Sequence, residues 1–208
     1  MGGTRRKKTV LKTIATAALV CLLAATLAPT ASGQEVPTDQ IIDSLMPKVL
    51  KRSALSSAPA ISTEDQEFLR RIPSRGITFE QQEKFVEITK EAKLPTIDIP
   101  IQFELNSAVI NAAAYKQVEA LANALKDPRL ASGRFALNGH TDAKGSDKHN
   151  QTLSEARAAS VRKALVTEFG IPEANLVVIG FGERSLKAAD DPEGAINRRV
   201  EVVRIGDV

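Results

Sequence analysis

At 208 residues, with 43% hydrophobic side chains, the chain can bury one ordinary core and carry accessory segments, which excludes two domains of full size. A single cysteine excludes an internal disulfide framework. The formal charge of +3 is not gathered into a stripe; after the first dozen residues Lys and Arg alternate with acids, so no nucleic-acid partner is expected.

Residues 1–33 read as a secretory signal peptide. The basic TRRKK at Thr4–Lys8 precedes the apolar run VLKTIATAALVCLLAATLA, and small residues close it at Ala31, Ser32 and Gly33. The uninterrupted apolar stretch from Ile14 to Ala28 is 15 residues long, short of the roughly 20 that a membrane-spanning helix needs. Val20 stands before Cys21, where a lipoprotein signal wants a small residue, so cleavage near Gln34 is expected to remove the only thiol. The leader carries Arg5, Arg6, Lys7, Lys8 and Lys12 and no acid, so its removal takes the formal charge from +3 to −2. The isoelectric point near 9.0 belongs to the leader.

Residues 34–95 form a helical and linker segment. DQIIDSLMPK is a short helix opened at Thr38 and Asp39 and stopped by Pro47, and KRSALSSAPAIS is a basic, then Ser/Ala/Pro-rich linker. Thr63 with Gln66, and Thr78 with Gln81, are spaced as capping boxes for two further helices, the second of about three turns with Phe79, Phe85, Val86, Ile88 and Leu94 near one face. These helices are too few for a core of their own and are expected to pack on the C-terminal domain.

Residues 96–208 alternate strands and helices. IDIPIQFEL (97–105) alternates as a half-buried strand, with Pro100 marking an edge or a strand start. A helix over 113–127, a strand over 134–139, a helix over 152–170 capped by Thr152 and Glu155, and strands over 175–183 and 199–205 complete the order βαβαββ. The expected fold is α+β: a mixed four-stranded sheet with its two crossover helices on one face, preceded by the short N-terminal helices.

Catalysis finds little support. Only His140 and His149 could serve as a base, and neither lies beside a nucleophile elbow. A metal site on His140, Asp142 and His149 would lack the further ligand that closed zinc sites use, so no metal or cofactor is expected. The Asp190 and Asp191 pair lies beside Pro192 and Gly194, in a solvated turn.

The stretch 138–160, NGHTDAKGSDKHNQTLSEARAAS, is more informative. Asp142 stands in a short polar loop after a strand, and Arg157 follows about one and a half turns into the predicted helix, whose side chains lean back toward its start. The two charges are either a structural ion pair or two halves of a cleft for a zwitterion, with the free N–H groups of the helix start favouring a ligand carboxylate. Spacing alone leaves both open.

The block GHTDAKG (139–145), Asn150, LSEARA (153–158), Val161, GFGE (180–183) and NRRVEV (197–202), with FELNSAVI (103–110) before it, resembles the OmpA-like C-terminal domain family of periplasmic peptidoglycan-binding modules. The resemblance runs from about Ile97 to Val208 and agrees with the βαβαββ pattern. It implies that Asp142 and Arg157 bind diaminopimelate of the peptidoglycan stem peptide, and that Asn106, Thr141, Asn150 and Arg198 line the same pocket. The sequence departs from the family at EGAINRR, which lacks the arginine usually found before the NRR motif. Arg198 and Arg199 are either a structural pair for the acidic loop or part of the site. The implied protein is exported to the periplasm, bound to the cell wall, associated with the outer membrane in some members, and not an enzyme. The alternative is an envelope scaffold whose protein partner, an outer-membrane or other envelope protein, is recognised through residues 34–95.

Overall fold

The computed structural model describes residues 35–47, 61–101, 103–104 and 106–208. The signal peptide and most of the expected linker lie outside the described residues. Helices α1 (Thr38–Leu45), α2 (Thr63–Arg71) and α3 (Phe79–Glu91) precede strand β1 (Thr96–Ile99). Helix α4 (Ala112–Leu125), strand β2 (Gly133–His140), helix α5 (Asp147–Thr167) and strands β3 (Leu176–Gly182) and β4 (Val200–Asp207) follow. Strand order in the sheet is β1-β4-β2-β3, with β2 parallel to β3 and antiparallel to β4, and β1 antiparallel to β4. The α+β class and βαβαββ order are those expected from the sequence. Among the described residues no helix is long and apolar enough to cross a membrane.

The two crossover helices, α4 and α5, lie on one face of the sheet as expected. With α1 they cover one side of the sheet, where Ile41, Leu45, Val118, Leu121, Val161 and Leu165 pack with Phe135, Leu137, Val178 and Val202. The N-terminal helices α2 and α3 close the other side: Leu69, Ile72, Phe85 and Ile88 lie against Ala136, Val177, Ile179, Phe181, Val203 and Ile205. Strand β3 is accordingly apolar along its length and buried on both faces. The buried faces of α2 and α3 therefore extend the core, packing on the C-terminal domain as their amphipathic pattern predicts. Arg134 of β2 fixes α2 by donating to the carbonyls of Leu69, Arg70 and Ile72, which the helix end leaves unpaired.

The outer edge of β3 is closed by the chain itself. Val178 N donates to Ser74 O at 2.9 Å, Arg162 Nε to Leu176 O at 3.2 Å, and both Gln82 and Gln151 donate to Gly180 O. These bonds occupy groups that an exposed edge would offer to another strand.

Three local boundaries differ from expectation. Strand β1 ends at Ile99, because Pro100 cannot extend the ladder, and Phe103 instead makes an isolated bridge with Ile110. Helix α2 is capped by Ser62, whose hydroxyl accepts from Asp65 N, and not by Thr63. Helix α5 begins at Asp147 with Ser146 as its cap, five residues before the expected start, and Thr152 Oγ1 bonds back to Lys148 O inside it. The capping box at Thr78 and Gln81 forms as its spacing predicts.

If α3 is part of this core, truncating Phe85, which is 1% exposed and faces Phe181, removes packed volume from the second face. Phe85→Ala is expected to lower stability by about 3–5 kcal/mol, read from a denaturant midpoint; a change typical of surface positions would show that α3 is a dispensable appendage.

Candidate functional site

The site forms where α5 crosses the C-terminal ends of β2 and β3, and glycines set how close it comes. A Cβ on Gly139 would lie 2.1 Å from Ser154 O, and one on Gly180 would lie 2.8 Å from Glu155 N. Gly182, at φ +55°, passes less closely, its Cβ position lying 3.0 Å from Gln151 N and 3.2 Å from Asn150 C. Backbone therefore meets backbone, and Ser154 Oγ seals the contact by accepting from Gly182 N at 2.9 Å.

This seat places the loop Thr141–Ser146 over the start of α5. Asn150 is buried and its side-chain amide faces Asp142 O at 3.3 Å, Lys144 O at 3.0 Å and the Glu183 carboxylate at 2.5 Å. Asn150 thus shapes the loop that presents Asp142. Thr141 is buried, with its N–H donated to Gly182 O and its hydroxyl without a partner among the described residues.

Asp142 is buried, and its two oxygens are differently engaged. Oδ1 accepts from Lys144 N at 3.3 Å, and Oδ2 accepts from Arg198 Nη1 at 2.6 Å. The partner of Asp142 is therefore Arg198, not Arg157. Arg199, the other half of the arginine pair, reaches Asp98 on β1 at 2.7 Å, where Lys187 also bonds at 2.6 Å. Burial raises the Asp98 carboxyl, but Lys187 and Arg199 together outweigh it and hold it below the usual 3.8. Arg199 is thus structural, tying the β1 edge to β4, and it does not serve the acidic loop.

Because α5 starts at Asp147, Arg157 is its eleventh residue and does not reach back to the helix N-terminus. It points to the loop after β1. Nε donates to Ser107 O at 3.0 Å, Nη2 to Glu104 O at 3.3 Å, and the guanidinium lies over the Phe103 ring with its carbon 5.1 Å from the centroid. Two of its five N–H groups are used by these bonds, which leaves three to donate. Burial pushes its pKa down, the nearby charge of Arg198 does the same, and Asp142 partly offsets them. Asp142 and Arg198 are thus both within electrostatic reach of Arg157, while among the described residues no carboxylate forms an ion pair with it.

Asn106, at the tip of the same loop, has φ +52° and its Oδ1 lies 3.2 Å from His149 Nε2 on α5. The structure thus gathers Asp142, Arg157 and Arg198 electrostatically, sets Asn150 beneath their loop, and ties Asn106 to His149 beside it. Sequence reasoning missed Phe103, the carbonyls of Glu104 and Ser107, and Asn197. The last of these is fully buried and fastens the loop before Arg198 by accepting from Lys187 N and Ala188 N and donating to Asp191 O. The asparagine of the NRR motif was the available signal for it.

His140 leaves the site. Its ring stacks on Phe181 at 5.3 Å on the α3 side of the sheet, 3.7 Å from Glu201, beside a cavity of about 530 Å³ lined also by Phe85, Lys90 and Arg199. It is not brought to His149 or Asp142 as a metal cluster. Burial pushes the ring below its ordinary 6.5, and Glu201 offsets this only in part. A folded value below the unfolded one stabilises the fold fully above 6.5, and that contribution is lost as pH falls from 6.5 toward the folded value. The thermal midpoint is therefore expected to drop on acidification below 6.5 and to drop less in His140→Gln; equal pH profiles would contradict the buried neutral ring.

The described geometry has named relatives. The OmpA family model matches residues 102–199, leaving β1 and β4 just outside it. Outer membrane porin F of Pseudomonas aeruginosa is 36% identical over 113 residues, covering 53% of this chain and 31% of that protein. The peptidoglycan-associated lipoprotein of the same organism is 33% identical over 117 residues, covering 55% and 67%. Outer-membrane lipoprotein YfiB, also of Pseudomonas aeruginosa, is 34% identical over 138 residues, covering 63% and 80%. The chain spans about a third of the porin F relatives but four-fifths of YfiB. With identities above 30% across most of a whole relative, and with the matched region enclosing the α5 seat and its loop, the chain belongs to the OmpA family.

Proposed function

We propose that this chain is an exported envelope protein that binds peptidoglycan without covalent attachment, through the zwitterionic end of diaminopimelate. Residues 1–33 direct it to the periplasm, and the described domain holds the wall. The single observation that carries this reading is the arrangement of two buried, opposite charges from different elements, Asp142 and Arg157, that do not neutralise each other. Each is held by other groups, so both keep capacity for a guest. Asp142 takes the ammonium, and the three remaining N–H groups of Arg157 take the carboxylate on the same carbon. Arg157 and Asn150 also hold the loops that carry the neighbouring groups, one near 103–107 and the other at 141–146.

The peptidoglycan-associated lipoprotein relative supports this ligand class by its name, and the two lipoprotein relatives support an envelope location. Recognition with no turnover fits this reading: His140 stacks on Phe181 and His149 pairs with Asn106. A scaffold acting through residues 34–95 is less well supported, because α2 and α3 spend their apolar faces on the sheet. Deleting them would uncover that face, so the two readings are separated by point substitution and not by truncation.

Each charge-assisted contact is worth roughly 1.5–3 kcal/mol, so loss of one anchor weakens binding by about 10- to 150-fold. Asp142→Ala is the cleaner substitution, because Arg157 also supports a loop. The variant is expected to fold with an unchanged circular dichroism spectrum and to stop co-sedimenting with purified diaminopimelate-type walls; undiminished co-sedimentation would refute the assignment.

A further inference from the structure

Asp142 is paired with one guanidinium, Arg198, and lies within electrostatic reach of another, Arg157, and the two differ in freedom. Arg157 is 5% exposed, bonded through Nε and Nη2 to main-chain carbonyls and laid on Phe103. It cannot leave without breaking the loop it holds. Arg198 is held firmly at its backbone and loosely at its side chain. Asn197 before it is fully buried and tied to the 187–192 loop, while the Arg198 side chain is 41% exposed against 11% for Asp142. Among the described residues its one side-chain bond is the 2.6 Å contact to Asp142 Oδ2. An ion pair with one partner this exposed is weakly held and easily exchanged.

Resting on the peptidoglycan reading above, we propose that Arg198 is a displaceable counter-ion that sets the charge requirement of the site: it holds Asp142 until a ligand supplies an ammonium together with a carboxylate, and then turns to that carboxylate. A lone ammonium that took Asp142 would displace Arg198 with no anion to receive it and would add a second mobile cation near Arg157. Like charges so placed are disfavoured, the more so because Arg157 already feels Arg198. A group bearing both charges on one carbon removes the conflict, since its carboxylate serves both guanidiniums while its ammonium replaces Arg198 at Oδ2. Arg198 is thereby a specificity-determining residue that rejects side chains ending in an ammonium alone, such as lysine, in favour of those ending in an amino acid head group.

The test is calorimetric titration of the native chain, Arg198→Gln and Arg198→Lys with meso-diaminopimelate and with pentane-1,5-diamine, which has the ammonium groups and no carboxylate. The native chain is expected to prefer diaminopimelate. In Arg198→Gln the preference is expected to fall by about tenfold or more, chiefly because the diamine binds better once Asp142 is uncovered, and Arg198→Lys restores the preference. Diaminopimelate binding with the same preference in all three proteins, or a loss in Arg198→Gln that falls on diaminopimelate alone, overturns the counter-ion role and leaves the anchors standing. No diaminopimelate binding by the native chain overturns the anchors as well. Matching thermal midpoints of the three proteins establish that the comparison is between folded chains.

Discussion

The approach of α5 to the ends of β2 and β3 is the constraint on which the rest of this molecule depends. Gly139 and Gly180 allow backbone contact that any side chain would prevent, and Gly182 adds a positive φ at the same seam. A helix seated this low brings Asn150 under the loop after β2 and Ser154 onto Gly182 N. The position of Asp142 is fixed as a consequence, because the loop carbonyls on either side of Ala143 are pinned by Asn150. Arg157, farther along the same helix, is aimed at the loop after β1. One helix therefore sets the distance between the two charges, and the glycines set the helix.

The electrostatics are a consequence of that spacing. A carboxylate and a guanidinium in direct contact would satisfy each other and leave nothing for a ligand. Here the carboxylate is met by an exposed arginine from the β4 side, and the buried arginine is met by neutral carbonyls. Carbonyl oxygens orient a guanidinium without cancelling its charge, so Arg157 keeps its attraction for an anion. The neighbouring Asp98, Arg199 and Lys187 cluster differs because both cations bond the one carboxylate directly, which suits a joint between β1 and β4.

Much of the fold was legible in the sequence, for physical reasons that particular segments illustrate. The order of elements came from the change between period 3.6 and period 2, and Thr78 with Gln81 gave the start of α3 because a capping box is a local device. The start of α5 was hidden because its first turns face glycine backbone, so they carry Asn150 and Ser154 inward where an apolar stripe would ordinarily mark the buried side. The continuous run LVVIGFG, legible above only as a strand, bears the pattern of one buried on both faces, while the helices that supply the second cover were visible as amphipathic patterns. The candidate residues Asp142 and Arg157 were found as charges on a loop and a helix. Their partners were not, since Arg198 lies 56 positions from Asp142 and the carbonyl of Ser107 lies 50 from Arg157. Such contacts are decided by the packing of whole elements, which no local pattern encodes.

The account is tested most directly by a crystal structure of the chain with a soluble stem peptide containing meso-diaminopimelate. It predicts the ligand ammonium within hydrogen-bond distance of Asp142 Oδ2, about 2.7–3.2 Å, the carboxylate on the same carbon bonded to Arg157, and Arg198 turned away from Asp142. A peptide seated elsewhere, for instance in the cavity beside His140, with the Asp142 and Arg198 pair intact, would contradict it.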